Sequence, residues 1–120
     1  MVGPMPAKIR YLEKKDLIRS ELLKCARATP MEFPTYSEFA PRVGMPTQGP
    51  WKEVLDMISR EEVNQGLPDI TFVLVNSRTR YPSQIGFTGS KNPSAQQKAR
   101  AHTEIQKVID RYNPGTRNPF

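Results

Sequence analysis

Residues 35–87 read TYSEFAPRVGMPTQGPWKEVLDMISREEVNQGLPDITFVLVNSRTRYPSQIGF, and their order decides the fold. Thr35 and Glu38 stand at capping-box spacing, where a hydroxyl and a carboxylate each satisfy a backbone N–H of a first helical turn. Tyr36, Phe39, Ala40 and Val43 then share one face. Pro41 has no N–H to give and crowds the carbonyl four residues back, so this helix is expected to be short, kinked or tightened at its end. Gly44 is a natural left-handed stop. A second helix is predicted to begin near Gln48–Trp51, with Pro50 in its first turn. Its apolar stripe is Trp51, Val54, Leu55 and Ile58, at i, i+3, i+4 and i+7. Lys52, Glu53, Asp56, Arg60, Glu61 and Glu62 are assigned to its solvated face, and Asn64-Gln65-Gly66 ends it.

Ile70–Val75 is a nearly continuous β-branched and apolar run, read as a buried strand. Asn76 to Pro82 supplies a turn, and Gln84–Thr88 returns as a second strand, with Gly86 and Gly89 marking a bend or bulge. Helix, turn, helix, hairpin is the order of a winged helix-turn-helix. The expected class is therefore α+β, mainly α: a small winged helix-turn-helix with additional N- and C-terminal helices.

Residues 1–6, with two prolines and a glycine, are expected to be a disordered lead-in. Ile9, Tyr11 and Leu12 are read as a short extended piece. From about Asp16 to Ala28 a helix is predicted, its stripe made by Leu17, Ile18, Leu22, Leu23, Cys25 and Ala26. Pro30 and Pro34 end it. Asn92-Pro93 is read as the N-cap and first position of a last helix running to about Tyr112. Its stripe is Ala101, Ile105, Val108, Ile109 and Tyr112. Residues 113–120 are a tail, which leaves one winged-helix-like domain over 7–112. The stripes of the two terminal helices can either pair across a homodimer or close over the central unit.

No apolar run approaches the roughly 20 residues of a membrane span, and residues 1–15 have no apolar signal-peptide core. A single cysteine, Cys25, makes no internal disulfide, which favours a reducing compartment, the cytoplasm by default. The lone His102 lies 77 positions from it, so neither a metal site nor any cofactor is expected. Glu61 and Glu62 are adjacent and point apart on a helix, so they form no catalytic pair. No serine or threonine has a base beside it in a nucleophile turn, and no glycine-rich phosphate loop follows a strand. These absences point away from an enzyme.

The net charge of +6 permits an acidic partner such as DNA, but its distribution matters more. Residues 1–30 hold seven Lys/Arg against three Asp/Glu, a net +4; residues 31–77 hold three against seven, −4; residues 78–120 hold eight against two, +6. The helix-turn-helix candidate is thus acidic between basic ends. Arg78-Thr79-Arg80-Tyr81-Pro82-Ser83-Gln84 falls on the predicted hairpin loop. Arginine grips phosphate with paired hydrogen bonds and tyrosine offers a stacking face. Lys91 belongs to the same basic region, and Lys8, Arg10, Lys14 and Lys15 could extend it. The competing assignment is a solvated basic turn that serves solubility.

The order of residues also resembles the DNA-binding part of O6-alkylguanine-DNA alkyltransferases and their non-catalytic alkyltransferase-like relatives. Tyr36, Phe39-Ala40, Gly44 and Pro46 match the first helix and its glycine-x-proline turn, and Val54-Leu55 match apolar positions of the recognition helix. Pro68 and the run after it match the region that bears the family's reactive cysteine. That cysteine would fall near Asp69–Thr71, and the base-flipping arginine near Gly49-Pro50, where neither is present. The resemblance, over about 50 residues, implies a winged-helix scaffold without an alkyl acceptor.

Two functions follow as expectations. One is a non-catalytic DNA-binding protein that contacts the backbone through the basic wing, using Arg78, Arg80, Tyr81, Gln84 and Lys91, with Lys14 and Lys15. The other is a protein-binding adaptor or inhibitor, of accessory or phage type, that docks on a nucleic-acid-handling partner through Glu53, Asp56 and Glu62.

Overall fold

A computed structural model of the chain describes residues 7–86 and 92–120. Five α-helices follow in order: α1 (Ala7–Glu13), α2 (Lys15–Arg27), α3 (Tyr36–Phe39), α4 (Trp51–Asn64) and α5 (Ala95–Tyr112). Tight 3-10 turns stand at Ala40–Val43, Ile70–Val73 and Ser83–Ile85, so the architecture is mainly helical.

The long helices bury most of the faces their periodicity marks out, but Leu17, expected on the α2 stripe, is 40% exposed, and Leu23 and Tyr112 are only partly buried. Ile18, Leu22, Cys25 and Ala26 of α2, Trp51, Val54, Leu55 and Ile58 of α4, and Ala101, Ile105, Val108 and Ile109 of α5 enter one core. The stripes of α2 and α5 therefore close over the centre of their own chain. At α3 the capping box forms: the Thr35 N–H donates to Glu38 Oε1 at 2.9 Å and the Glu38 N–H to Thr35 Oγ1 at 3.4 Å. Past Phe39 the backbone tightens into the 3-10 turn that contains Pro41, and Gly44 stops it at φ 68°.

Ile70–Val75 is not a strand. The Asp69 carboxylate accepts the Thr71 N–H at 3.0 Å and caps a 3-10 turn over Ile70–Val73, after which Leu74 runs extended. All six residues are at most 2% exposed, because the run threads between α2, α4 and α5 and is covered on every side. Val75 makes single-residue bridges, parallel to Thr35 and antiparallel to Pro82. The second strand is likewise replaced by the Ser83–Ile85 turn, and residues 87 and 88 of that expected strand lie outside the described residues. What was read as a hairpin is a loop closed by isolated bridges.

Three further expectations change. Ile9, Tyr11 and Leu12 belong to helix α1. Helix α5 starts two residues later than Asn92-Pro93 suggests, because Ser94 caps it and Gln97 completes its capping box. Residues 113–120 fold back instead of trailing away. Asn113 Nδ2 donates to the carbonyls of Ala26 and Ala28 at 3.0 and 2.8 Å. The Phe120 ring meets those of Phe33 and Tyr81 at 5.2 and 5.5 Å. The lead-in over residues 1–6 lies outside the described residues. No helix among the described residues is long and apolar enough to cross a membrane.

Tyr11 shows how closely α1 is fitted. Its buried ring stands edge-on to Trp51 at 4.8 Å, and its hydroxyl donates to the Pro46 carbonyl at 2.9 Å. A Cβ on Gly49 would lie 2.1 Å from that hydroxyl oxygen. Gly49→Ala is expected to cost about 2 kcal/mol, the usual result of overfilling a packed site. Urea unfolding checks this, and an unchanged midpoint would mean that the Tyr11 ring can swing aside.

Candidate nucleic-acid interface

The basic loop is built on Asn76. Its Oδ1 accepts the N–H groups of Arg78 and Thr79 at 2.8 and 3.2 Å. Its own N–H donates to the Tyr81 carbonyl at 2.9 Å, and its carbonyl accepts the Arg80 N–H at 2.8 Å. This winding leaves Arg80 at φ 63°, in the left-handed region. A residue with a Cβ is disfavoured there by roughly 1–2 kcal/mol, and such backbone is characteristic of binding sites. Arg78 and Arg80 are exposed, and among the described residues neither is ion-paired.

Tyr81 is half-buried instead of presenting a free stacking face. Phe120 packs on it, and Lys98 Nζ stands 5.9 Å from its ring centroid. Arg100 lies 5.4 Å over the ring of Phe72. The first turns of α5 thus bring Lys98 and Arg100 alongside the 70–81 segment. Arg100 occupies an off-stripe position, whereas Lys98 continues the stripe one turn before Ala101 yet is exposed; neither spacing announces these neighbours.

Between the loop and α4 lies an open cleft of about 640 Å³, whose walls include Tyr36, Lys52, Asp56, Asn76, Arg78 and Gln84. The Tyr36 hydroxyl is hydrogen-bonded to Ser83 Oγ at 2.8 Å. Burial raises its pKa, with the Ser83 hydrogen bond opposing, so the phenol stays neutral at physiological pH. Gln84 is anchored: its Nε2 donates to Thr71 Oγ1 at 2.9 Å. The Thr71 and Ser59 hydroxyls donate in turn to the two oxygens of Asp69. The cleft wall is therefore tied into the core.

The remaining predicted residues are scattered. Lys15 pairs with Glu61 at 2.6 Å, towards the far end of α4 from the cleft. Lys14 lies against Gly44, at the end of the turn after α3. Lys91 lies outside the described residues. On the acidic side, Glu62 is not on the solvated face. It is 0% exposed, and its Oε1 accepts a hydrogen bond from Arg19 Nε. Position 62 is four beyond Ile58 and eight beyond Val54, on the buried stripe, and that spacing is the signal that would have located it. Asp56 pairs with Lys52 at 2.7 Å. Glu53 is left exposed.

Other reactive types have structural places. Cys25 is buried, and burial above all pushes its thiol up to about 11, so it remains protonated and inert. His102 Nδ1 is 2.6 Å from the Phe120 carbonyl oxygen. Trp51 belongs to the core, its Nε1 donating to the Thr47 carbonyl at 3.1 Å. Among the described residues no three His, Cys, Asp or Glu side chains gather to hold a metal ion. Asp69–Thr71, where the alkyltransferase resemblance would put a reactive cysteine, is buried in the hydrogen-bond network. Comparison with known protein families, curated proteins and solved structures found no match.

Proposed function

We propose that the protein binds nucleic acid without catalysis, gripping the phosphate backbone with Arg78 and Arg80. The observation that carries this reading is a pair of exposed guanidinium groups on a tightly wound loop, one of them held in left-handed backbone and neither in an ion pair among the described residues. Arg80 acts on the Glu38 carboxylate only at longer range, helping to lower its pKa after the Thr35 hydrogen bonds. Each guanidinium can donate two parallel hydrogen bonds to a phosphate. Lys98 and Arg100 add positive field from the flank. In the finer reading, α3 and α4 are the helix-turn-helix and the 76–81 loop stands where a winged helix carries its wing. Glu53 and Asp56 on the outer side of α4 repel phosphate, so deep entry of α4 into a major groove is disfavoured and contact falls to the loop. The adaptor alternative draws on a face that has lost Glu62 to the core and shares Asp56 with Lys52.

The double substitution Arg78→Ala, Arg80→Ala is expected to weaken binding and to flatten the plot of log affinity against log salt. The slope should fall by about 1.4 on a single strand and about 1.8 on duplex DNA, the value for two released counterions. Arg80→Gly relaxes the left-handed turn, so its Tm should hold or rise while binding weakens. An unchanged salt slope in the double variant would remove the loop from the interface.

A further inference from the structure

We infer that the cleft between the 76–81 loop and α4 receives one unpaired base, and that the protein therefore prefers single strands to duplex. The inference rests on the backbone-binding reading above. In a duplex each base has both faces stacked and its pairing edge occupied, whereas a single strand can turn a base into a protein cleft. The cleft, about 640 Å³, has the size of an ordinary small-molecule site. Its aromatic wall is Tyr36. The Ser83 hydroxyl fixes one end of this side chain, and Trp51 meets its ring edge-on at 5.8 Å. A ring held this way loses little freedom when a base stacks on it.

The polar groups around the ring suit a base and its phosphate. Asn76 spends its Oδ1 on the loop, and among the described residues its Nδ2 has no protein partner. Gln84 spends its Nε2 on Thr71, and among the described residues its Oε1 has none. One amide donor and one amide acceptor thus remain in the same cleft for a base edge. Arg78 and Lys52 line it, and Asp56, which lines it too, is held in its ion pair with Lys52 at 2.7 Å. Lys52 offsets the Asp56 charge within the cleft, which leaves the Arg78 guanidinium as the group that meets the phosphate.

Fluorescence anisotropy with the full chain tests this at about 100 mM salt, where the Debye length is about 10 Å. The probes are a labelled oligothymidylate, an abasic backbone of the same length and charge, and the corresponding duplex. The oligothymidylate is expected to bind about tenfold tighter than the abasic backbone, the range for stacking one base. It should also bind tighter than the duplex. Tyr36→Leu should reduce oligothymidylate affinity to the abasic level, while Tyr36→Phe keeps most of it. If Tyr36→Leu does not fold, the abasic comparison on the unaltered protein decides. Equal binding of the oligothymidylate and the abasic strand overturns the cleft inference and leaves the backbone grip standing. Free thymidine monophosphate competing as well as the oligomer would make this a nucleotide pocket and overturn the strand assignment. Binding to none of the probes sinks the reading beneath it, and the inference with it.

Discussion

Urea unfolding of a Phe72→Ala variant is expected to show a loss of about 4 kcal/mol, a large share of a stability that for ordinary domains is about 5–15 kcal/mol. Phe72 is 1% exposed and sits in the middle of the 70–75 segment, where α2, α4 and α5 converge. Truncation removes the ring's burial and leaves a cavity that three helices cannot all close at once. It also removes the surface over which the Arg100 guanidinium lies. A loss below about 1 kcal/mol, the scale of a single methylene, would mean that the segment is not the centre of the core.

Arg19→Ala is expected to cost about 3 kcal/mol, the lower end for breaking a buried ion pair. The lower end applies because the Arg19 side chain is 37% exposed, while that of Glu62 is 1% exposed. Removing the arginine strands a carboxylate whose second oxygen already has no hydrogen-bond partner among the described residues. Arg19→Leu combined with Glu62→Leu should recover most of the loss, because an apolar pair needs no desolvation of charge. A double-mutant cycle measures the coupling. A cost for Arg19→Ala under about 0.5 kcal/mol would mark the pair as an ordinary surface bridge.

The helices were legible in the residues because each is amphipathic and punctuated. The α4 stripe, the Thr35–Glu38 capping box and the Gly44 stop all appear where spacing puts them. The centre of the molecule was not legible in the same way. A run such as Ile70–Val75 carries no alternation when it is covered on all sides, so strand and tight turn look alike. The distinguishing feature is Asp69, whose carboxylate captures the Thr71 N–H and winds the chain. Glu62 was misread by residue type, since its position belongs to the buried stripe and only its charge suggested water. The docking of residues 113–120 rests on Asn113, Asn118 and Phe120, isolated residues with no period to announce them. Of the candidate site, Arg78 and Arg80 were legible as an exposed basic turn. Tyr36 opposite Asn76, and Lys98 beside Tyr81, depend on long-range packing.

The isolated rungs at Thr35, Val75 and Pro82 bear on how the chain behaves in a crowd. Aggregation by strand addition needs a row of open peptide groups along a sheet edge. Among the described residues pairing stops after one rung on either side of Val75, and one of its partners is a proline, which has no N–H to offer a newcomer. At high concentration, copies of this protein thus find no template here on which to extend a shared sheet.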